Sequence, residues 1–385
     1  MKFKELNLHP ALLQAVNDQN YITPTAIQQK AIPLILNKKD VLGSAQTGTG
    51  KTAAFALPIL NHLIEESNSN KKLKIKALVV TPTRELAIQI GENFTLYSKY
   101  INIKNTVIFG GVKQITQTTI LANGVDILVA TPGRLLDLIG QGFISLNDIS
   151  YFVLDEADRM LDMGFINDIR KILNLLPKER QSLFFSATMP SNILELSSQI
   201  LNSPQKVVVN PSSSTAKTIQ QFIYYTNKNN KKELLIHILN DKDIRQILVF
   251  SRTKHGADRI VRNLKKQKIE SAAIHGDKSQ NQRQRALQSF KENLVRVLVA
   301  TDIAARGIDI EKLSYVLNYD IPNEPETYVH RIGRCGRAGE EGIAISISEP
   351  EENVYIRDIE KLIKQSIIEV KNHPFPQTDT AMSSQ

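Results

Sequence analysis

VLGSAQTGTGKTAAFALPIL, residues 41–60, joins a short apolar run to a helix-forming run through a loop of glycine and threonine. A buried strand that enters such a turn and leaves it through Gly-Lys-Thr at the head of a helix is a phosphate cradle. The glycines let backbone N–H groups converge on oxyanions at the helix N-terminus. Gln46, Thr47, Gly48, Thr49 and Gly50 form the loop, Lys51 is set to reach the outer phosphates, and the Thr52 hydroxyl is set to ligate magnesium. Ala45 stands at the first position of the G-x-x-x-x-G-K-[ST] pattern, so a little loop freedom is lost. A structural glycine turn would have no need of Lys51 and Thr52 side by side.

The rest of the chain repeats this strand-then-helix rhythm. ALVV (77–80) precedes ELAIQIGENF (85–94), DILVA (126–130) precedes GRLLDLI (133–139), and YFVL (151–154) and SLFFS (182–186) follow. The pattern resumes with ILVF (247–250) before HGADRIVRNLKK (255–266), then VRVLVA (295–300), YVLNY (315–319) and GIAISIS (342–348). Such alternation predicts βαβ units and parallel sheets, hence an α/β fold. At 385 residues the chain exceeds one ordinary core, and the polar, aperiodic NPSSSTAKT at 210–218 is the natural linker. The expected division is an N-terminal domain over 1–209, a C-terminal domain over 219–370 and a disordered tail over 371–385. LVVTPTREL echoes LVFSRTKHG, and VATPGRL echoes VATDIAARG, which suggests a duplicated unit.

A formal charge of +9 suits a polyanionic partner without demanding one, and the basic excess is spread over both halves. A single cysteine, Cys335, excludes an intramolecular disulfide framework. No eighteen-residue apolar run and no leader-like apolar core occur, so no membrane association is expected and a cytoplasmic location is.

YFVLDEADRML, 151–161, ends its apolar run in three acids within four positions. Acids do favour a first helical turn, where the macrodipole welcomes them. With a phosphate cradle in the same chain, Asp155 is better read as the strand-end acid for magnesium and Glu156 as the group that orients or deprotonates the attacking water. Asp158 is expected to bond across to a neighbouring loop.

With AQTGTGKT and DEAD (155–158) in one chain, the sequence resembles the DEAD-box ATP-dependent RNA helicases, with about a dozen motifs in order over roughly residues 3–365. IPNEPETYVHRIGRCGRAG (321–339) and the compact N-terminus resemble the bacterial RhlE-like subgroup. The resemblance implies two tandem RecA-like parallel-sheet domains joined by a short linker, with ATP and Mg2+ as cofactors and RNA as partner.

It also implies roles, residue by residue. YITPTAIQ (21–28) is similar to the Q motif, with Gln28 on the adenine edge, Tyr21 as the stacking ring and Phe3 as the isolated upstream aromatic; Asn20 replaces the usual glycine. RNA contacts fall to Thr83 and Arg84 of PTREL, to Gly110 and Gly111, and to Thr131, Gly133 and Arg134 of TPGR. In the second half they fall to Ser251 and Arg252, to Gly276, Gln280 and Arg283, and to Thr301. Ser186 and Thr188 of SAT resemble the segment coupling the acids to RNA. Arg334 and Arg337 resemble arginine fingers, His330 a link to the acid strand, Arg306 an aid to closure and Asp309 a ribose contact. Cys335 stands where the family usually has threonine.

Few aromatic residues accompany these motifs, so backbone contacts with little sequence preference are expected for single strands and short duplexes. The implied action is local unwinding of short duplexes or remodelling of RNA–protein complexes, with an ATP-gated clamp as its rival. The sequence names neither the physiological RNA nor any ribonucleoprotein or RNA-degradation partner.

Overall fold

The structure is a computed structural model that describes residues 2–45, 48–66, 74–209, 219–305, 313–335 and 342–378. The chain divides into two compact units, Met1–Pro211 and Ser212–Gln385. The expected linker at 210–218 lies outside the described residues.

The first unit is built on seven strands: β1 Val41–Ser44, β2 Ala77–Val80, β3 Asn105–Ile108, β4 Ile127–Ala130, β5 Tyr151–Leu154, β6 Gln181–Ser186 and β7 Gln205–Val208. They form one sheet in the order β3-β4-β2-β5-β6-β1-β7, and every pair is parallel. Successive side chains of a strand point to opposite faces, and two apolar layers form accordingly. Val79, Val129, Val153 and Phe185 face one core with the helices Ala26–Leu36, Lys51–Glu65 and Arg84–Tyr97. Leu78, Leu128, Phe152 and Phe184 face the other, against Pro132–Gly140, Ile166–Leu175 and Ser191–Ile200. Burial on both faces is why these strands read as unbroken apolar runs instead of alternating ones.

The second unit repeats the plan with β8 Ile219–Tyr225, β9 Ile247–Phe250, β10 Ser271–Ile274, β11 Val297–Ala300, β12 Tyr315–Asn318, β13 Gly342–Ser348 and β14 Ile368–Glu369. Its order is β10-β11-β9-β12-β13-β8-β14, again all parallel. Relabelled from its own first strand, this is the order of the first sheet, strand for strand. The echo between the halves of the sequence therefore has a topological counterpart.

The expectation of disorder from residue 371 does not hold over 371–378. Val370 donates to the Ile223 carbonyl, the Thr226 hydroxyl donates to the Phe375 carbonyl at 2.7 Å, and Gln377 N donates to the Tyr225 carbonyl. His373 packs edge-on against Tyr224 with ring centroids 5.4 Å apart. Composition suggested an unstructured tail, yet His373 and Phe375 supply ring surface to the edge of the sheet.

Candidate nucleotide and RNA sites

In an open parallel sheet, functional loops gather outside the carboxyl ends of the strands. In the first unit the phosphate cradle follows β1, the acids follow β5 and Ser186 closes β6, and these three strands are neighbours. Thr83, Gly110 and Thr131 follow β2, β3 and β4, which are neighbours on the other side. One sheet edge is thus divided into two halves, with Asp155 to Asp158 at their boundary.

At the cradle, Gly50 caps the helix Lys51–Glu65 with φ 89°, in the left-handed region that glycine tolerates. A β-carbon there would also collide with the Gln28 amide. Lys51 is buried; its Nζ donates to the Ala45 carbonyl at 3.0 Å and lies 4.0 Å from Asp155 Oδ1. Gln46 and Thr47 lie outside the described residues. Gln28 is nearly buried, accepts from Thr25 N at 2.9 Å and donates to the Gly50 carbonyl at 3.1 Å. The amide expected on the adenine edge therefore also ties the cap of its own helix to the cradle. Tyr21 is exposed, with its ring stacked 6.4 Å from Phe3 and edge-on to the buried Tyr97 at 6.4 Å. Phe3 is buried, so it supports Tyr21 and does not itself present a face.

Asp155 is 2% exposed, and burial pushes its carboxyl up to about 6 despite the attraction of Lys51. A buried carboxylate with one ammonium at 4.0 Å is short of positive charge, and a divalent cation between it and the Thr52 hydroxyl fits that donor set. Glu156 stands at φ 57°, outside the usual range for a side-chain-bearing residue, and its carboxylate pairs with Arg159. Strain of this kind is kept where the side chain's direction matters.

Asp158 bonds across to the loop after β6. Its Oδ2 accepts from both Thr188 N and Thr188 Oγ1 at 2.9 Å, and its backbone N–H donates to Ser186 Oγ at 3.3 Å. Ser186 Oγ in turn donates to the Thr188 carbonyl at 2.8 Å. The β5 and β6 strand ends are thereby cross-linked by a closed polar network.

Among the RNA candidates of the first unit, the Arg84 guanidinium lies against Gly111, where a β-carbon would sit 2.5 Å from its nitrogens. Gly111 has φ 81°, so its conformation favours glycine, and a side chain there would also displace the Arg84 guanidinium. Arg134 donates to Gln117 Oε1 and to the Val112 carbonyl, both at 3.4 Å. Thr83 and Thr131 are buried N-cap residues, and the space around Gly133 is open.

The second unit brings its RNA candidates together at the ends of the neighbouring strands β9, β10 and β11. Gly276 is open, Gln280 is buried at the start of its helix, and Thr301 N donates to the Ile274 carbonyl. Ser251 and Arg252 are both engaged by carboxylates, Ser251 from a buried position and Arg252 from an exposed one. Ser251 is buried and donates to Asp320 Oδ2 at 3.0 Å. The Arg252 guanidinium donates to Glu352 Oε1 at 2.7 Å and to the Ile321 carbonyl at 2.9 Å. These carboxylates come from loops after β12 and β13, which single-sequence reading could not place beside β9.

Arg331 escaped notice in the sequence. It is 2% exposed, clamps Asp302 through two hydrogen bonds of 2.6 and 2.8 Å, and donates to the Asp320 carbonyl. This fixes the helix Pro325–Ile332, on which His330 is exposed and beyond which Arg334 is buried. The only sequence signal is an arginine beside those assigned to the nucleotide. Arg306, Asp309 and Arg337 lie outside the described residues.

Residues 25–196 match the DEAD/DEAH box helicase family model, and residues 230–339 match the helicase conserved C-terminal domain. The chain belongs to the DEAD-box helicases. It is 43% identical over 364 residues to the ATP-dependent RNA helicase CshA of Listeria monocytogenes, covering 94% of this chain and 69% of that protein. It is 41% identical to the ATP-dependent RNA helicase RhlB of Shewanella frigidimarina, covering 95% and 85%. Dbp5 of S. cerevisiae, solved bound to RNA and ADP BeF3, superposes with a TM-score of 0.84 at 32% identity, covering 96% of this chain and 95% of that one. These relatives fix the family and leave the RhlE-like subgroup unselected. No helix among the described residues is long and apolar enough to cross a membrane.

Proposed function

We infer that this helicase is an RNA-dependent ATPase that locally unwinds short RNA duplexes or remodels RNA–protein complexes. The observation that carries the reading is the divided sheet edge of the first unit. A phosphate cradle and a loop cluster assigned to RNA share one sheet, and the Asp158–Ser186–Thr188 network ties the β5 and β6 strand ends at the boundary between them. A change in how Asp155 and Glu156 are held by nucleotide would reach the RNA-assigned loops through β5, which pairs directly with β2.

ATP binds through its phosphates on the cradle and Lys51, with Tyr21 and Gln28 at the base. Thr52 and Asp155 would hold a magnesium ion, whose charge would offset that of the phosphates. Glu156 orients the attacking water and accepts its proton. Arg334 and Arg337 of the second unit add positive charge at the transferring phosphoryl group, a contribution worth roughly 10³ to 10⁵ in rate. The family resemblance assigns residues for both ligands to each unit, so ATP and RNA are expected to favour the same closed arrangement and to bind cooperatively. Closure bends one strand and separates a short duplex; hydrolysis and product release reopen it. Work on cellular RNA makes the cytoplasm its location.

The test is steady-state ATP hydrolysis with magnesium, alone and with single-stranded RNA or the matching DNA, using Glu156→Gln as control. Strong stimulation by RNA that the variant abolishes is expected. Hydrolysis indifferent to RNA, or equally stimulated by DNA, sinks the reading.

A further inference from the structure

The helix Lys254–Lys266 leaves the strand-end loop of β9 with Thr253 as its N-cap, whose hydroxyl accepts from Gly256 N at 3.0 Å. It buries Ala257, Ile260, Val261 and Leu264 in the core. Opposite them, His255, Arg259, Arg262 and Lys266 are all exposed. Their spacing of four, three and four residues puts them on one line within about 60° of helix circumference.

This line contains no acid, and none of its four residues has an ion pair within 4.0 Å among the described residues. The helix's single acid, Asp258, is turned aside and held by Lys278 at 2.8 Å and His275 at 3.1 Å. Like charges at these spacings destabilise an isolated helix. An ordinary solvated face relieves that repulsion by interleaving glutamate or aspartate, and this one does not. The line runs about 16 Å. It starts two residues beyond a loop of the β9, β10 and β11 cluster, so a polyanion gripped there would continue along it.

We propose that His255, Arg259, Arg262 and Lys266 form a second RNA-backbone surface that takes the segment flanking the strand held at the sheet edge. The proposal rests on the RNA-dependent reading given above. Charge complementarity and continuity with the strand-end loops favour a nucleic-acid backbone over an acidic protein. Apart from the imidazole of His255 at its start, the line carries no aromatic ring and no amide, so it grips phosphates in preference to reading bases. Its effect is to favour RNAs with a flanking duplex or a longer strand over minimal single strands.

The experiment replaces Arg259, Arg262 and Lys266 together by glutamine, which keeps helix propensity, with circular dichroism as a check on folding. RNA-stimulated ATP hydrolysis is measured with a minimal single-stranded RNA and with the same strand carrying a flanking duplex. The expected result is an unchanged kcat and KM with the minimal strand, and a KM for the extended RNA raised about tenfold. The slope of log affinity against log salt for the extended RNA should also become shallower by roughly two to three, since each phosphate that is no longer neutralised accounts for about 0.7 to 0.9. Equal KM increases with both RNAs, or no change with either, overturn the proposal. So does abolished binding of polyglutamate with RNA binding intact, which would mark the surface as a protein site. If the unmutated protein shows no RNA stimulation at all, it is the underlying reading that fails; stimulation intact with an indifferent variant removes only this surface.

Discussion

The two units share a strand order but have opposite fates at one equivalent place. In the first, Lys51 follows β1 and faces Asp155 at the end of β5, 4.0 Å away. In the second, Lys231 follows β8, the strand equivalent to β1, and faces Asp320, just beyond β12, the equivalent of β5, at 3.6 Å. Each sheet therefore sets an ammonium beside a strand-end carboxylate at the same point in its plan. In the second unit Glu352 fills the place from beyond β13, pairing with Lys231 at 2.8 Å and with Arg252 at 2.7 Å. The 371–378 segment also closes over the end of β8 through Thr226 and Gln377. A lysine left short of negative charge is ready for phosphate; one satisfied by a buried glutamate is only a strut. The position in the fold is permissive, and the second carboxylate decides.

The sharpest way to break this comparison is to remove each lysine in turn. Lys51→Ala should reduce RNA-stimulated ATP hydrolysis by about 10³-fold, roughly 4 kcal/mol of barrier at 1.36 per decade, with the melting temperature little changed. Turnover measured under saturating RNA checks it, and a variant retaining a tenth of the activity would refute the assignment.

Lys231→Ala should do the reverse. Glu352 is 2% exposed, and burial raises its carboxyl even with Lys231 beside it. Stranding it without its ammonium should cost about 3–5 kcal/mol of stability, read as a lower denaturant midpoint. Replacing both partners, Lys231→Met with Glu352→Leu, should recover most of that loss. Failure of the double variant to exceed the single one would show that the network does more than hold the fold.

These two lysines also mark what sequence reading could and could not see. Lys51 announces itself because its partners are local: a glycine loop before it and a threonine after it. Lys231 sits in NNKKELL, an ordinary helix start, and its meaning comes from Glu352, more than a hundred residues away. The same holds for Arg252 and for the Arg331–Asp302 clamp. Sheets and strand ends were legible because burial on both faces writes unbroken apolar runs. The order of strands, and hence which loops touch, was not. Tyr97, the ring under Tyr21, carries no signal of its own in the sequence.

A smaller effect separates the halves of the first sheet edge. Asp158→Asn keeps the size of the side chain but weakens two charge-assisted hydrogen bonds to Thr188. At about 1.5–3 kcal/mol for hydrogen bonds to a charged group, RNA stimulation of hydrolysis should fall by about tenfold to a hundredfold. The basal rate without RNA should stay nearly the same. Equal loss of basal and stimulated rates would place Asp158 with the nucleotide and remove it from the link.

The smallest expected effect concerns Gln28, whose amide oxygen is held by Thr25 N and whose amide nitrogen holds the Gly50 carbonyl. If that bridge orients the cradle, Gln28→Glu, which keeps the acceptor and loses the donor, should raise the KM for ATP by several-fold. Thr25→Ala should do less to the nucleotide and cost about 1 kcal/mol as a lost helix cap. The comparison with the second unit supplies the control. Its cap Ser279 pairs with Gln282 in the same reciprocal way, at the head of a helix on the RNA side of its sheet. Ser279→Ala should therefore cost similar stability and leave the KM for ATP unchanged. If both cap variants shift it alike, the effect belongs to general loosening and not to a bridge between the Gln28 amide and the phosphate loop.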